Sequence, residues 1–388
     1  MRVYLDHNAT TPMRPEVRRR IEELLDGDLG GGLGNPSSLH ASGRRARQVI
    51  DEARMQVAAA LGVHEDALTF TSGGTESNNL ALFGGMARAR PGAALVVTRI
   101  EHSSVLGPAE ELARRGSDVR FVGVDRQGRV DLDQLEAAAR GARLVSVMAA
   151  NNEIGVCPSL EAVAERLGPK EGRPLLHSDA AQALGRIEVP WSALDLATLS
   201  GHKFGGPIGL GILVHRPGVA LEPRTHGGGQ ELGLRPGTEP AAAIAGLALA
   251  VELACRERSA LAARLDALAR TLWSGVSARV PGIELLGPPL ADRGPQPDRL
   301  PGTLNLLQPD VDGKVLLTKL DLEGLEVSAG SACASGSLEP SHVLLALGLG
   351  ERRARAGLRV SLGRTTREED VHIAVEILGR TLGFPRAR

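Results

Sequence analysis

The chain alternates short apolar runs with amphipathic stretches, and the order of that alternation predicts a fold class. The runs "ALTF" (67–70), "ALVVTRI" (94–100), "VRFVGV" (119–124), "ARLVSVMAA" (142–150), "PLLHSDA" (174–180), "LDLATLS" (194–200) and "GLGILVH" (209–215) are apolar at consecutive positions rather than alternate ones. That is the pattern of strands buried on both faces. Helical patterns such as "DLDQLEAAAR" and "SLEAVAERLG" separate them, so the expected fold is α/β, a largely parallel sheet covered on both sides.

After "RPGTEP" the pattern changes to one long Ala/Leu-rich helix over about 241–273, a connector leaving the sheet. Beyond it, "PGTLNLLQ", "VLLTKLDLEG", "LEVSAG", "GLRVSLG" and a closing helix with the capping-box spacing Thr366-x-x-Glu369 predict a smaller α+β domain. "PPLADRGPQPDRLPG" (288–302) has the composition of an exposed loop. A length of 388 residues exceeds what one hydrophobic core usually spans. The expected division is a large domain over 14–255 and a small one made of 1–13 with 256–388.

Composition narrows the function classes. A formal net charge of −1 and 2% aromatics offer neither a field for polyanions nor stacking platforms for bases. No nucleic-acid partner is expected. The opening "MRVYLDHNATTP" lacks an apolar leader, and no run approaches the roughly 20 apolar residues of a membrane span, so a cytoplasmic protein without membrane contact is expected. Cys157, Cys255 and Cys333 lie far apart without a CxxC pair, against a disulfide framework or a zinc site; no metal is expected.

In sheets of this class, ligands sit at the carboxyl ends of the strands. Here those ends read Thr71-Ser72-Gly73-Gly74-Thr75, Glu101-His102, Asn151-Asn152, Asp179 and Ser200-Gly201-His202-Lys203. Lys203 stands out because the chain has 45 basic residues and only Lys170, Lys203, Lys314 and Lys319 are lysines. An amine can lose its proton in apolar surroundings and condense with an aldehyde, which a guanidinium cannot; the alternative is a plain surface lysine. "TSGGTE" is a turn opening a helix, either a bland cap or an anion cradle of free N–H groups. Its spacing is neither GxGxxG nor a Walker loop. Asp179 is either a helix cap or a partner for a protonated pyridine nitrogen. His102 is either a satisfied core histidine or a plate stacked on a ring and a proton carrier. Asn152 and Gln182 are ambiguous in the same way. Arg359, inside the apolar run "LRVSLGR", needs an anion, either an internal carboxylate or that of a substrate. Cys333 lies among small residues in "SAGSACASGSLEPSH", which favours a reactive thiol, whereas Cys157 and Cys255 read as packing residues.

Ten segments, "YLDHNATTP", "GNPSSLHASGRRAR", "TSGGTESNN", "EHSSV", "NNEIGV", "HSDAAQALG", "SGHKFGGPIGLG", "HGGGQELGLRPGTEP", "SAGSACASGSLEPSHVL" and "LRVSLGR", run from Tyr4 to about Arg364. In that order they resemble the cysteine desulfurases of the NifS/IscS type, class V members of the fold-type I pyridoxal-phosphate enzymes. The resemblance implies the fold-type I architecture with a mostly parallel seven-stranded sheet. It implies pyridoxal 5'-phosphate on Lys203, with Asp179 at the ring nitrogen, Gln182 at the phenolic oxygen and His102 stacked on the ring. Gly74, Thr75, Ser200 and His202 would hold the phosphate, joined by Thr238 from the second subunit of a homodimer. Asn35, Asn152 and Arg359 would position L-cysteine, and Cys333 would take its sulfur as a persulfide for an acceptor protein, an Fe–S scaffold or a tRNA-thiolation carrier. Leu232 stands where relatives usually carry arginine, and Pro236 where a small residue is commoner. The competing expectations are a selenocysteine lyase, another class V aminotransferase or lyase, and a non-catalytic paralogue.

Overall fold

The structure is a computed structural model that describes residues 2–26, 32–290, 297–309, 311–329 and 339–383. A short strand β1 (Val3–Tyr4) and helices α1 (Pro15–Leu25) and α2 (Ala41–Leu61) precede the sheet. Each apolar run then forms a strand: β2 (Leu68–Thr71), β3 (Ala94–Thr98), β4 (Val119–Val122), β5 (Ala142–Ser146), β6 (Leu175–Asp179), β7 (Leu196–Ser200) and β8 (Gly211–His215). Between them lie helices α3 (Gly74–Asn79), α4 (Ser103–Arg114), α5 (Leu132–Ala139) and α6 (Leu160–Leu167).

These strands make one seven-stranded sheet in the order β2-β8-β7-β6-β5-β3-β4. The body from β7 to β4 is parallel, while β8 runs antiparallel to both β7 and β2. The reversal follows from chain length: only residues 201–210 join β7 to β8, too few for a parallel crossover. That short connection carries Lys203.

Consecutive apolar positions in a strand face opposite sides, and both sides are covered. Phe70, Val96, Val145, Leu176, Ala197 and Ile212 pack with Ile50 and Val57 of α2. Their neighbours Leu95, Val97, Leu144, Leu175, Leu196 and Leu213 pack with Leu80, Leu82, Val105 and Leu112.

The connector is helix α7 (Ala241–Arg279), 39 residues long, and it extends past residue 273, where the pattern alone placed its end. Ile244, Leu247 and Val251 belong to the core beneath the large sheet. Leu265, Leu268, Leu272 and Val276 belong to a second core with Val3, Leu5, Leu304, Leu306, Leu358, Val360 and Leu378. That core is built from β9 (Glu284–Leu286), β10 (Thr303–Leu307), α8 (Gly313–Leu322), β11 (Leu325–Glu326), α9 (His342–Ala346), α10 (Glu351–Ala354), β12 (Gly357–Ser361) and α11 (Glu368–Leu382). Strands β12, β10 and β9 form an antiparallel sheet, and β1 pairs with β11 in parallel.

The closing helix starts one residue later than the Thr366 capping box predicts. Arg367 is the cap, with its N–H donating to Asp370 Oδ2 at 2.8 Å. Thr366 is buried, and its hydroxyl accepts from Gly363 N at 2.9 Å; burial in the preceding turn takes it out of the capping position. Among the described residues no helix is long and apolar enough to cross a membrane.

Candidate active site

The carboxyl ends of β2, β3, β5, β6 and β7 converge with the segment after β1 and with β12 on a cavity of about 570 Å³. Gly74, Thr75, His102, Asn152, Asp179, Gln182, Ser200, His202, Lys203 and Arg359 all line it. The sheet is the reason they meet, since parallel strands end on the same side and their following turns open there.

Lys203 follows β7 by one tight turn, Gly201–Lys203. Its Nζ donates to the backbone oxygens of Asn8 at 2.6 Å and Ala9 at 2.9 Å. Asn8 is a junction: its oxygen also accepts from Gln182 Nε2 at 2.9 Å, its Oδ1 accepts from buried Arg186 at 2.6 Å, and its Nδ2 donates to Asn152 O at 3.0 Å. His202 lies beside Thr10, with Nδ1 and the hydroxyl 3.1 Å apart. Burial, aided by the neighbouring Lys203 charge, pushes its imidazole down to about 4, so it is neutral at pH 7.

Asp179 ends β6, 6% exposed. Its Oδ1 accepts from Ala181 N at 3.0 Å, as a turn cap would, and its Oδ2 accepts from Asn78 Nδ2 at 2.8 Å. No helix follows Asp179, so the expected helix cap is instead a turn cap, on a side chain that also lines the cavity. His102 likewise has two places, its Nδ1 capping α4 by accepting from Ser104 N at 3.1 Å while the residue lines the cavity. Asn78 also donates to Ser104 Oγ at 2.8 Å, which ties the α4 entry to Asp179.

The turn from β2 into α3 brings Gly73, Gly74 and Thr75 to the cavity, and no side chain among the described residues caps the start of the helix. This turn lies directly on β8. A Cβ at Gly211 would stand 2.6 Å from the Gly73 carbonyl carbon and 2.8 Å from Leu199 O, both backbone atoms. Arg359 of β12 is 1% exposed; its Nη2 meets Asp6 Oδ1 at 2.7 Å and its Nη1 donates to Asn152 O at 3.2 Å. The internal carboxylate expected of this arginine is present, and the side chain also lines the cavity.

Asn35 and Thr238 do not line the cavity of the single chain. Asn35 is exposed, with its Oδ1 accepting from Ser37 N at 2.9 Å. Thr238 is also exposed, on a loop pinned by two carboxylates. Glu231 accepts from Arg54 at 2.6 Å and from Phe70 N at 2.7 Å, and Glu239 accepts from Arg47 at 2.5 and 3.0 Å. Leu232 in that loop is 66% exposed at φ 57°. Cys333 lies outside the described residues. Cys157 and Cys255 are half-buried and away from this cavity. Among the described residues no group of three His, Cys, Asp or Glu side chains is placed to hold a metal ion.

The motif reading gave no role to Asn8 and Asp6, and none to Glu76 or Glu101 beyond their place at a helix start and a strand end. Asn8 acts largely through a backbone oxygen, which its side chain does not advertise; the only signal was its position inside "YLDHNATTP".

The residues present fit pyridoxal 5'-phosphate. Asp179 is a buried carboxylate held by neutral donors. Gln182, on the cavity wall, keeps a buried Oε1 without a partner among the described residues. A lysine amine and a helix start complete the same wall.

The comparisons agree in one direction. The aminotransferase class-V family description matches residues 3–373. The chain is 41% identical over 384 residues to a cysteine desulfurase IscS of Dictyoglomus turgidum, covering 98% of this chain and 94% of the relative. It is 40% identical to cysteine desulfurase IscS 1 of Archaeoglobus fulgidus, covering 97% and 95%. Among solved structures, a NifS-like protein superposes with TM-score 0.88 at 35% identity, over 98% of this chain and 99% of that one. SspA in complex with cysteine superposes with TM-score 0.77 at 30% identity, over 93% and 98%.

Proposed function

The chain belongs to the aminotransferase class-V family, and from that premise we propose that it is a pyridoxal-phosphate cysteine desulfurase, forming L-alanine and passing the sulfur of L-cysteine to Cys333. The observation that carries the reading is the meeting of Lys203, Asp179 and the α3 start in one cavity.

When bound, the coenzyme supplies an electron sink for negative charge at the substrate Cα. Lys203 would be its covalent anchor, and its Nζ would serve as the base for the substrate Cα proton. Asp179 would hold the ring nitrogen in its protonated form, Gln182 would serve the phenolic oxygen, and His102 would lie against the ring and carry protons. The N–H groups of Gly74 and Thr75, with Ser200 and His202, hold the phosphate. Arg359 grips the substrate carboxylate, so Asp6 must yield it on binding, and Asn152 and Asn35 orient the amino acid. The Cys333 thiolate attacks the substrate sulfur, the S–S bond forming as the C–S bond breaks, and the electron pair left on the substrate's β-carbon takes up a proton to make the methyl group of alanine.

Thr238 is assigned to the phosphate of a second copy, which makes the enzyme a homodimer. Its exposure and the anchoring of its loop by Arg47 and Arg54 support this. The proposed domains, 14–255 and 1–13 with 256–388, are supported by the division of the apolar cores along α7. The persulfide goes to an acceptor protein, an Fe–S scaffold or a tRNA-thiolation carrier, in the cytoplasm.

The test follows alanine and sulfide from L-cysteine in the wild type and in Cys333→Ala. Loss of sulfide transfer in the mutant is expected. Equal release from both would remove the persulfide route, and no product from the wild type would remove the activity.

A further inference from the structure

Glu101 is buried directly behind the cavity wall and is absent from the chemistry above. It is 0% exposed. Its Oε1 accepts from Thr98 Oγ1 at the end of β3 and from Met148 N beyond β5, each at 2.8 Å. Its Oε2 is buried with no hydrogen-bond partner among the described residues. Its backbone oxygen lies 2.9 Å from His342 Nε2 at the start of α9. The next residue is His102.

An ionised carboxyl here would leave a bare anionic oxygen in a dry interior, next to the field of Asp179. A neutral acid removes the buried charge and its repulsion with Asp179, leaving only an unpaired hydroxyl at Oε2, and still ties two strand ends together. We infer that Glu101 is a positioning residue that works as a neutral acid, fixing the His102 turn against β3 and β5 while leaving Asp179 without a second charge behind it. The inference deepens the proposed reading, and only its coenzyme arm rests on that reading.

Titration of Glu101 is set by what surrounds it. From β3 the Thr98 hydroxyl faces it, from the segment after β5 the Met148 amide, and from β6 the Asp179 carboxylate. From α9 the His342 imidazole sits on its carbonyl. Behind these, His177 is neutral through burial, and buried Glu153 acts on His342 and His102. Burial first, then Asp179, raise Glu101 to about 8, against the pull of Thr98 and Met148. A folded value raised above the unfolded one gives stability that is complete below about pH 4.5 and is lost as pH rises through 8.

The experiment compares melting temperatures of the coenzyme-free protein from pH 5 to 9 for the wild type, Glu101→Gln and Thr98→Val. Glutamine keeps the Oε1 acceptor and never ionises. The melting temperature of Glu101→Gln relative to the wild type should therefore climb by roughly 5 °C across this range. Thr98→Val removes a donor that favours the ionised form, so its loss of stability should continue to higher pH than in the wild type before it levels off. In the coenzyme-bound protein, the pH response of the visible band near pH 8 should be present in the wild type and absent in Glu101→Gln. A difference between Glu101→Gln and wild type that is flat with pH would overturn the inference, as would a Thr98→Val curve that levels off at the wild-type pH. The coenzyme-free arm needs no desulfuration, so a wild type that fails to turn over L-cysteine removes the proposed function and leaves this inference standing.

Discussion

Lys203 is set apart by what its amine touches: two backbone oxygens of the segment after β1, inside a walled cavity. If it is the covalent anchor, borohydride reduction of the coenzyme-bound wild type should erase the visible band and leave an adduct at position 203 by mass analysis. Lys203→Ala should show no such adduct and lose on the order of 10²–10⁴ in kcat. Arg359 makes a separable prediction. A charge-assisted grip on a carboxylate contributes about 1.5–3 kcal/mol, so Arg359→Ala should raise KM for L-cysteine by roughly 10- to 100-fold in steady-state assays. A kcat loss with unchanged KM would reject the carboxylate role. His102 and Asp179 show why the bland and the functional readings need not compete, because each caps a local turn with one atom and lines the cavity as well.

At the level of elements, the anion cradle depends on how closely the β2–α3 turn can lie on β8. Gly211→Ala places a methyl group against backbone that has no side chain to move. It should cost about 1–3 kcal/mol and weaken coenzyme retention, measured by thermal melts with and without pyridoxal phosphate. The Thr238 loop holds the opposite kind of strain. Leu232 is left-handed at φ 57°, and an L-residue there costs about 1–2 kcal/mol relative to glycine's freedom. Leu232→Gly should raise the melting temperature of the isolated chain, unless a partner subunit covers that side chain; a fall in a protein kept dimeric would locate Leu232 in the interface. The α/β alternation and the seven strands were legible because both-face burial writes itself as consecutive apolar residues. The end of α7 and the cap of α11 were not, because each is settled by which residue is buried at the boundary.

For the whole molecule, stability should peak near pH 6.5. His177 and His7 are buried and pushed down to about 4 and about 3, in each case chiefly by burial. For such a base the stability is present above the unfolded value near 6.5 and is lost as pH falls toward the folded one, at about 1.4 kcal/mol per unit. For His177 this amounts to roughly 3 kcal/mol between pH 6.5 and 4. Glu101 works from the other side, losing stability as pH rises through about 8. Melting temperatures across pH 4 to 9 should therefore describe a dome, and a curve rising monotonically to pH 9 would contradict the burial of Glu101. Sedimentation should find two chains, and equal mixing of Thr238→Ala with an inactive Lys203→Ala protein should restore about a quarter of the sites to wild-type form, those that draw Lys203 from one chain and Thr238 from the other.

The order of apolar runs determined the sheet, because a strand buried on both faces leaves no polar position to hide it. The residue types at the strand ends determined which chemistry was available, since amine, carboxylate and imidazole are properties of side chains. Tertiary structure alone decided that Asn8 gathers Lys203, Gln182, Arg186 and Asn152 around one residue, and that Arg359 meets Asp6 across 353 positions of chain. It also decided that Asn35 and Thr238 stay outside the cavity of a single copy. Contacts of this kind depend on distances in space between segments remote in sequence, and no local pattern encodes them.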